Sequence, residues 1–339
     1  MYLKQILKYA ALLSLILFQS CKDSAVEPDI PVVKEPSIVF FDNAFGGVRF
    51  SGSEFEDYIC EEPYVIKPDC FEIINGKWYA FEYNRYFAGG SDVNLVVNGE
   101  KKATIVSNCS NVQNVVAYQQ DGRLKAYIFY FDSDDNYHGI HYDNGRIENI
   151  DGLTDFERIL FIKVINDDVY AVWNFDVSNF FEVRNIVITK NGTPIPQSIE
   201  LPEDFYIETF SDLCVDNSSI YTFFTVRNDK HFARRAYYAK DNNLVQMTGL
   251  QHVSCGQVVD GKVYAIGWNY EEGRRCCYWE NGEITKPNHD TSSEPSGLVI
   301  ENGIVYYLVL IPEFSILYKD GVEYIRHEAC YSGFKFIDF

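Results

Sequence analysis

The clearest pattern in the chain is an apolar strand, a tight turn and a second apolar strand, best seen at residues 255–286. Asp260-Gly261 separates two apolar runs there, and Asn281-Gly282 follows a third run that ends at Trp279. Asp-Gly and Asn-Gly between apolar runs are strong hairpin signals, because both turn positions need positive φ angles. The segment therefore predicts a unit of four antiparallel strands.

The same unit recurs along the chain. We predict its first turn at Gly76, Gly122, Asp168, Ser218, Gly261 and Gly303. We predict its second turn at Gly99, Gly145, Gly192, Asn243, Gly282 and Gly321. Both series keep a spacing of about 40–50 residues, which is typical of the four-stranded blades of a β-propeller. No segment shows sustained helical periodicity.

The two ends of the repeat region predict one further blade. Apolar runs at 38–41, 48–50 and 55–59 predict its three outer strands, and the C-terminal run at 333–339 predicts its first strand. A blade shared by both termini would close the ring and leave no open sheet edge. We therefore predict an all-β fold over residues 37–339, a β-propeller of seven blades, with six blades as the alternative.

The N-terminal segment differs from the repeats. Lys4 and Lys8 precede an apolar run that is too short to span a bilayer, and this pattern is typical of a secretory signal peptide. The residues that end in Cys21 resemble a lipobox, the site where bacterial lipoproteins are cleaved and acylated. We predict a lipoprotein signal peptide at 1–20 and, at 21–36, a lipid anchor on Cys21 followed by a Pro-rich linker.

The repeated turns together with the phrase Tyr278-Trp279-Glu280-Asn281-Gly282 resemble the β-propeller lipoproteins of the Bacteroidetes. The resemblance spans residues 37–339. It implies the propeller fold and attachment to the outer membrane, at the cell surface or on the periplasmic face, and it implies no particular activity.

The charge balance narrows the choice of partner. The chain has 49 Asp and Glu against 29 Lys and Arg, a formal net charge of −20. Binding to nucleic acid depends on neutralising phosphates with Lys and Arg, so we predict no nucleic-acid partner. We expect contact with the membrane through the lipid anchor alone. A glycan or a protein partner is compatible with this charge.

The loops between the second and third strands of all blades gather on one face of a propeller, which we call the loop face, and function concentrates on such loops. On the predicted loop face, several aromatic and cationic side chains are next to polar residues in the sequence. The candidate ligand-binding residues are Tyr86, Phe87, Tyr137, His138, Phe180, Phe181, His231, Tyr270 and Arg274. If these aromatic side chains are exposed, they are suited to stacking against sugar rings. The alternative is that they pack between blades.

Asp132, Asp134 and Asn136 are spaced like the first ligands of a calcium loop. The loop lacks the Gly at its sixth position and the Glu at its twelfth, so a solvated hairpin tip is the preferred interpretation, and we predict no cofactor and no metal. Besides Cys21 there are eight Cys, whose pairing the sequence leaves open; Cys60 and Cys70 are close enough in sequence to close one loop.

These observations predict a non-enzymatic binding or interaction module that takes a glycan or a protein partner on its loop face. The alternative is a carbohydrate-active hydrolase or lyase on the same scaffold. The sequence contains neither a Gly-x-Ser-x-Gly elbow nor a phosphate-binding loop. A hydrolase would need two carboxyl groups about 5 to 9.5 Å apart at the mouth of the channel.

Overall fold

The computed structural model describes residues 37–42, 46–61, 64–84, 90–150, 158–174, 183, 186–196, 199–228, 230–231, 233–270, 273–286, 292–312 and 314–337. The regular structure of these residues consists of 28 strands and one 3-10 turn, Pro68–Cys70. They include no helix of sufficient length and apolar character to cross a membrane. The expectation of an all-β chain is confirmed.

The strands form seven antiparallel sheets, the blades. The described residues start with β1 (Ser37–Asp42) and β2 (Val48–Ser51) of the closing blade. Blade 1 contains β3 (Tyr64–Val65), β4 (Phe71–Ile74), β5 (Lys77–Asn84), β6 (Ser91–Val97) and β7 (Glu100–Cys109). Blade 2 contains β8 (Asn111–Gln120), β9 (Arg123–Phe131), β10 (Tyr137–Asp143) and β11 (Arg146–Asn149). Blade 3 contains β12 (Arg158–Ile165), β13 (Asp168–Asn174), β14 (Ile186–Lys190) and β15 (Thr193–Ile195).

Blade 4 contains β16 (Tyr206–Asp216), β17 (Ser219–Asn228), β18 (Ala233–Lys240) and β19 (Asn243–Gln246). Blade 5 contains β20 (His252–Val259), β21 (Lys262–Asn269), β22 (Arg275–Glu280) and β23 (Glu283–Thr285). Blade 6 contains β24 (Glu294–Glu301), β25 (Ile304–Ile311), β26 (Phe314–Lys319) and β27 (Val322–His327). The last strand, β28 (Tyr331–Ile337), returns to the closing blade. Seven blades are confirmed, and the alternative of six is wrong.

The closing blade joins the two ends of the described chain. Its sheet order is β2-β1-β28, so β28 is the innermost strand, and Phe40 of β1 is paired with Phe334 of β28. Strands are found where the runs at 38–41 and 48–50 predict them, whereas the run at 55–59 contributes only a bridge between Tyr58 and Val48. Lys335 Nζ donates to Phe71 O of blade 1 at 2.8 Å, which links the last strand to the first complete blade.

Hydrogen bonds to the second strand stabilise the turn between the third and fourth strands of a blade. In blade 5, Asn281 and Gly282 both have positive φ, as a two-residue hairpin turn requires. In addition, Val263 N at the start of β21 donates to Asn281 Oδ1 at 2.9 Å, and Asn281 N donates to Val263 O at 3.1 Å. The same pair of bonds links Asn191 with Val169 and Asp320 with Val305. An Asn or Asp is favoured here because its side chain fixes the second strand as well as the turn.

Two predicted turn positions are wrong by one or two residues. Asp168 is the first residue of β13, and the turn itself is Asn166-Asp167, both with positive φ. Asn243 is the first residue of β19, because the turn lies at residues 241–242. Both units lack the Gly that marks the turn elsewhere, and Asn and Asp tolerate positive φ well enough to replace it.

Neighbouring blades are joined near the bulges of their inner strands. Register shifts occur beside Asn114 in β8, Ser211 in β16 and Ser296 in β24. Each of these side chains donates a hydrogen bond to a carbonyl of the next inner strand. The bonds are Asn114 Nδ2 to Ile159 O at 3.2 Å, Ser211 Oγ to Val253 O at 2.7 Å and Ser296 Oγ to Tyr331 O at 2.9 Å.

Apolar side chains fill the space between adjacent blades. Phe223 of blade 4 packs in one cluster with Val253 and Trp279 of blade 5, and Phe41 of the closing blade packs with Phe71 and Trp78 of blade 1. Burial of such faces is the dominant favourable contribution to a fold built from repeated sheets. The eight Cys from Cys60 to Cys330 are free thiols, so the candidate pair Cys60–Cys70 does not form a disulfide in this structure.

Candidate functional site

A cavity with a volume of about 590 Å³ lies on the loop face between blades 4 and 5. It falls within the range of pockets that hold small ligands, about 300–1,000 Å³. Its polar and aromatic lining consists of Arg234, Arg235, Gln246, Gln251, Asn269 and Tyr270. We call it the blade 4/5 cavity.

The strand ends explain why these side chains meet. Arg234 and Arg235 stand at the start of β18, and Tyr270 follows the end of β21. Gln251 precedes β20 in the linker between the two blades, and its Oε1 accepts the backbone N–H of Tyr270 at 2.6 Å. In an antiparallel blade, the loops after second strands and the linkers after fourth strands emerge on the same side. Residues from two blades therefore share this cavity.

Arg234 is fixed by a carboxylate. Its Nε donates to Glu208 Oε2 at 2.6 Å and its Nη2 to Glu208 Oε1 at 2.5 Å, a bidentate pair that Arg227 Nη1 extends at 3.3 Å. Burial raises the pKa of Glu208, but the hydrogen bonds and charges of Arg234 and Arg227 outweigh it, so this pKa lies below its usual value. Glu208 is thus a structural anion with little tendency to take up a proton.

Tyr270 presents the exposed ring of the site. Its side chain is 38% exposed, and the guanidinium carbon of Arg234 lies 5.3 Å from the ring centroid, within the range of a cation–π contact. The ring meets Trp268 edge-on, with centroids 6.1 Å apart and planes at 87°. Tyr270 is therefore supported from two sides while one part of its surface stays open.

Trp268, which contacts Tyr270 edge-on, is itself packed between two other side chains. His252 stacks on the indole at 4.0 Å with an interplanar angle of 14°, and the guanidinium carbon of Arg274 lies 4.7 Å from the ring. Arg274 is also paired with Glu294 of blade 6 at 2.8 Å. Burial lowers the pKa of His252 to about 4, so the imidazole is neutral at pH 7.

Arg235 differs from its neighbour. Its guanidinium carbon lies 4.7 Å from the centroid of the Phe205 ring. Within the described part of the chain it makes no ion pair with a carboxylate, whereas Arg227, Arg234 and Arg274 each do. Adjacent residues of a strand point to opposite faces, so the Arg235 guanidinium lies on the Phe205 side of β18 and the Arg234 guanidinium on the Tyr270 side. The lining residues of the cavity include no Asp or Glu.

The other candidate residues fall into different environments. Tyr137 is only 5% exposed; it packs against Phe129 and Phe131, and its hydroxyl oxygen accepts the backbone N–H of Ile159 at 3.4 Å. It borders a smaller cavity of about 240 Å³ between blades 2 and 3. Tyr137 thus packs between blades, the alternative left open by the sequence.

His138 and His231 are not among the described residues that line the blade 4/5 cavity. His138 Nε2 is 2.8 Å from Asp132 Oδ2, and the backbone N–H of the exposed His231 donates to Asn228 Oδ1 at 3.1 Å. Of the described residues that sequence reasoning selected, Tyr270 lines the cavity, and Tyr270 and Arg274 both contact Trp268. Five further positions lie outside the described residues, namely Cys21, Tyr86, Phe87, Phe180 and Phe181.

The Asp132 loop is organised by its own hydrogen bonds. The Asp132 carboxylate accepts the backbone N–H groups of Asp134 and Asn136, each at 2.9 Å, and the side-chain amide of Asn136. The Asn136 and His138 hydrogen bonds hold the pKa of Asp132 below its usual value. No group of three or more His, Cys, Asp or Glu in the described ranges is arranged to hold a metal ion.

Sequence reasoning missed Arg234, Arg235 and Gln251. They belong to no sequence motif, and the cavity is lined by strand ends and a linker of two blades, between Ala233 and Tyr270. A usable signal was the Arg-Arg pair at the start of a third strand, which occurs at 234–235 and again at 274–275.

The sequence matches no protein-family model and no curated protein. Among solved structures, the chain is similar to the β-propeller domain of the Trilobed protease from Pyrococcus furiosus, at 15% identity over 85% of each chain with a TM-score of 0.48. It is similar to an acylaminoacyl peptidase from Pyrococcus horikoshii, at 16% identity over 85% of this chain and 47% of that one, with a TM-score of 0.47.

A third similar structure is a thermostable family-43 glycoside hydrolase, at 12% identity over 79% of this chain and 95% of the other, with a TM-score of 0.38. The chain spans less than half the length of the peptidase. At such low identities the likeness concerns the propeller fold and does not extend to activity.

Proposed function

We propose that this chain is a non-enzymatic binding module that takes a glycan in the blade 4/5 cavity. The observation that carries the proposal is the half-open ring of Tyr270, held by Trp268 and Arg234 at the wall of a cavity of about 590 Å³. A rigid aromatic surface next to amide side chains offers a stacking plane and hydrogen-bond donors and acceptors, which suits the two kinds of surface on a sugar ring.

The experiment is a glycan-array screen with the purified protein, followed by titration calorimetry with the best ligand. Tyr270→Ala should weaken binding at least tenfold, since a central aromatic anchor contributes about 1.4 kcal/mol or more. Tyr270→Phe keeps the ring and should bind within about threefold of the wild type. Val322→Ala, at an exposed position of blade 6, is the control that should change nothing.

A silent array would contradict the glycan proposal and favour a protein partner on the loop face. Equal binding by the wild type and Tyr270→Ala would place the ligand elsewhere on the propeller. Either result can be read only if both proteins unfold at the same temperature, which differential scanning calorimetry would establish.

The second candidate function is a carbohydrate-active hydrolase or lyase on the same scaffold. Binding is favoured instead, because no carboxylate lines the cavity as described and the nearby Glu208 is held by Arg234. A general acid needs a raised pKa, and that of Glu208 is lowered. Release of reducing ends from any glycan that binds would establish turnover and overturn the non-enzymatic proposal.

We also propose that the propeller is displayed from the outer membrane by a lipid on Cys21 and the linker at 21–36. Two or three acyl chains provide stable anchoring where one is marginal. Metabolic labelling with an alkyne-tagged fatty acid should mark the wild type and leave Cys21→Ser unlabelled. An unlabelled wild type would contradict the anchor without bearing on the cavity.

A further inference from the structure

Six of the tight turns in the propeller have the sequence Asn-Gly. In each of them both residues have positive φ, and the turns begin at Asn75, Asn98, Asn144, Asn191, Asn281 and Asn302. An Asn followed by Gly is chemically labile, because no side chain on the Gly hinders its backbone nitrogen from approaching the Asn side-chain carbon. The turns of this chain differ in how firmly they hold these two atoms apart.

In three of these turns the Asn side chain is anchored to the second strand of its blade. Its Oδ1 accepts a backbone N–H there, which keeps the side-chain carbon away from the following backbone nitrogen. Asp241 in blade 4 and Asp320 in blade 6 accept the equivalent N–H. The bonds of the three Asn turns are Trp78 N to Asn98 at 2.9 Å, Val169 N to Asn191 at 2.8 Å and Val263 N to Asn281 at 2.9 Å.

Blade 2 lacks this anchor. Asn144 N donates to Leu124 O at 2.9 Å, as the corresponding turn residues of the other complete blades do. Among the described residues, however, no hydrogen bond reaches the side-chain amide of Asn144, which is exposed. The backbone alone therefore fixes Asn144 to the second strand of its blade.

The outer strand beside this turn adds little restraint. All four residues of β11 are exposed, whereas each other outer strand described for a complete blade has at least one partly buried side chain. The ion pair of Arg146 with Glu148 joins side chains that are 77% and 49% exposed, and such surface pairs contribute little to stability. A segment with few buried contacts opens locally at a low free-energy cost, and opening of β11 releases Asn144 from its turn conformation.

The two remaining Asn-Gly turns are better protected by their surroundings. Asn75 and Asn302 join inner strands to second strands, next to buried residues such as Ile74 and Val305. In addition, Asn302 Nδ2 donates to Glu301 Oε1 at 3.2 Å. Opening either hairpin would expose apolar surface that packs between blades, so it costs more free energy than opening β11.

We propose that Asn144 is a site of spontaneous covalent modification, the position in this chain where deamidation occurs first. The backbone nitrogen of Gly145 loses its proton to solvent and attacks Asn144 Cγ. The bond from Cγ to Nδ2 breaks, and the amide nitrogen takes a proton from solvent and leaves as ammonia. Water then opens the cyclic imide at Cγ, which gives aspartate, or at the main-chain carbonyl, which gives isoaspartate. The sum consumes water, releases ammonia and needs no other reactant.

The products should disturb blade 2 locally. Either product places a new carboxylate next to Asp143, and isoaspartate also inserts an extra backbone atom between β10 and β11. Asp143 and Arg146 are the first pair of this hairpin, so the longer connection changes the register of every pair beyond it. We expect β11 to detach from blade 2 in the isoaspartate product.

A hydrogen bond to Tyr142 restrains the attacking nitrogen. Burial raises the pKa of the Tyr142 hydroxyl, and a hydrogen bond from the Gly145 backbone N–H opposes this rise. Tyr142 is only 6% exposed and meets the Phe81 ring of blade 1 edge-on, so its hydroxyl oxygen has a fixed position. The nitrogen is released when the hairpin opens or when the hydroxyl is removed.

The test is peptide mapping by mass spectrometry of the purified protein during incubation at physiological temperature and mildly alkaline pH, with fragmentation that distinguishes isoaspartate from aspartate. Asn144 should be lost at least about tenfold faster than Asn98, Asn191 and Asn281. In the same protein unfolded in urea, all six Asn-Gly pairs should react at rates within about threefold of each other, because the fold no longer distinguishes them.

Three variants identify the reacting turn. Tyr142→Phe removes the hydrogen bond to Gly145 and should accelerate the loss of Asn144 while leaving that of Asn281 unchanged. Asn144→Ser removes the reacting amide, so the first acidic species to appear on ion-exchange chromatography should be absent. Asn75→Ser, at another turn whose Asn has no anchor, is the matched control in which that species should still appear.

Several results would overturn the inference. They are equal rates at Asn144 and Asn281 in the folded protein, faster loss at Asn75 or Asn302, and a lead of Asn144 that persists in urea. An unchanged rate in Tyr142→Phe would contradict the restraint proposed for this turn. None of these results bears on the glycan proposal, because the described lining of the blade 4/5 cavity contains no residue of blade 2.

Discussion

The Lys163 ammonium of blade 3 and the Asp212 carboxylate of blade 4 are 2.6 Å apart, and together they connect two inner strands of the ring. The same carboxylate accepts the backbone N–H of Leu213 at 2.8 Å and that of Gly256, on the inner strand of blade 5, at 3.4 Å. One side chain therefore links three consecutive blades. Burial lowers the pKa of Lys163, but the charge of Asp212 more than offsets this, so the net shift of the Lys163 pKa is upward and its ammonium stays charged at neutral pH.

Removing either partner should destabilise the propeller. We expect Lys163→Met and Asp212→Asn each to lower the free energy of unfolding by about 1–3 kcal/mol, less than the cost for a fully buried pair because the Lys163 side chain is 35% exposed. In a double-mutant cycle measured by urea unfolding, the double variant should lose less than the sum of the single variants. Additive losses would show that the two charges are not coupled.

The closing blade should be as important to stability as the complete blades. Phe334 of β28 is 4% exposed and packs in one cluster with Phe40 and Leu308. Phe334→Ala should cost about 3–5 kcal/mol, because it leaves a cavity between the closing blade and blade 6. The comparison is Val322→Ala, 68% exposed, which should stay within about 0.5 kcal/mol of the wild type. Similar denaturation midpoints for the two variants would contradict ring closure by β28.

Gly267 allows two strands of blade 5 to approach each other closely. A Cβ atom there would lie 1.8 Å from the backbone oxygen of His252, which cannot move away as a flexible side chain could. Gly267→Ala should therefore lower the free energy of unfolding by about 3 kcal/mol. Gly261 has a positive φ and open space around its Cβ position, so Gly261→Ala should cost only about 1 kcal/mol. The order of the two losses in thermal unfolding is the test.

His252 should make the propeller less stable in mild acid. Its folded pKa of about 4 is below the usual value, so between about pH 6.5 and pH 4 the unfolded chain takes up the proton first and unfolding is favoured. The loss from this group should reach about 3 kcal/mol and be complete near pH 4. Arg234 and Arg274 add to the effect of burial and Glu208 opposes it.

Urea unfolding at pH 7 and pH 4.5 would measure this loss. His252→Asn keeps a polar side chain near Thr225 but cannot titrate, so its stability should fall less between the two pH values. His141 and His327, whose pKa values are also lowered by burial, are unchanged in the variant and do not affect the difference. An identical fall in both proteins would mean that His252 does not cause it.

The architecture could be predicted because its signals are local. A turn such as Asn281-Gly282 is specified by two adjacent residues, and the strands on either side follow from alternating apolar positions. The errors at Asp168 and Asn243 arose where Asn and Asp replace Gly at positive φ. The spacing of the repeats and the apolar runs at both ends favoured seven blades, one of them shared, and left six as the alternative.

The candidate site was harder to predict from the sequence because its residues are brought into contact from distant positions in the chain. Tyr270 and Arg274 stand on one loop and could be selected as polar-aromatic positions. The contact between Arg234 and Tyr270 depends on how two blades pack, which no spacing in the chain records. Tyr137 shows the reverse case, since a ring beside polar residues in the sequence packs between blades in the fold.

The pairing of β1 with β28 has a consequence for biosynthesis. Phe40 is made almost 300 residues before Phe334, the residue it pairs with. During translation the first strand has one edge uncovered until the last segment leaves the ribosome, and unpaired edges of this kind invite aggregation. A cell producing this protein must therefore keep an open arc of blades from associating with other chains until the final strand arrives.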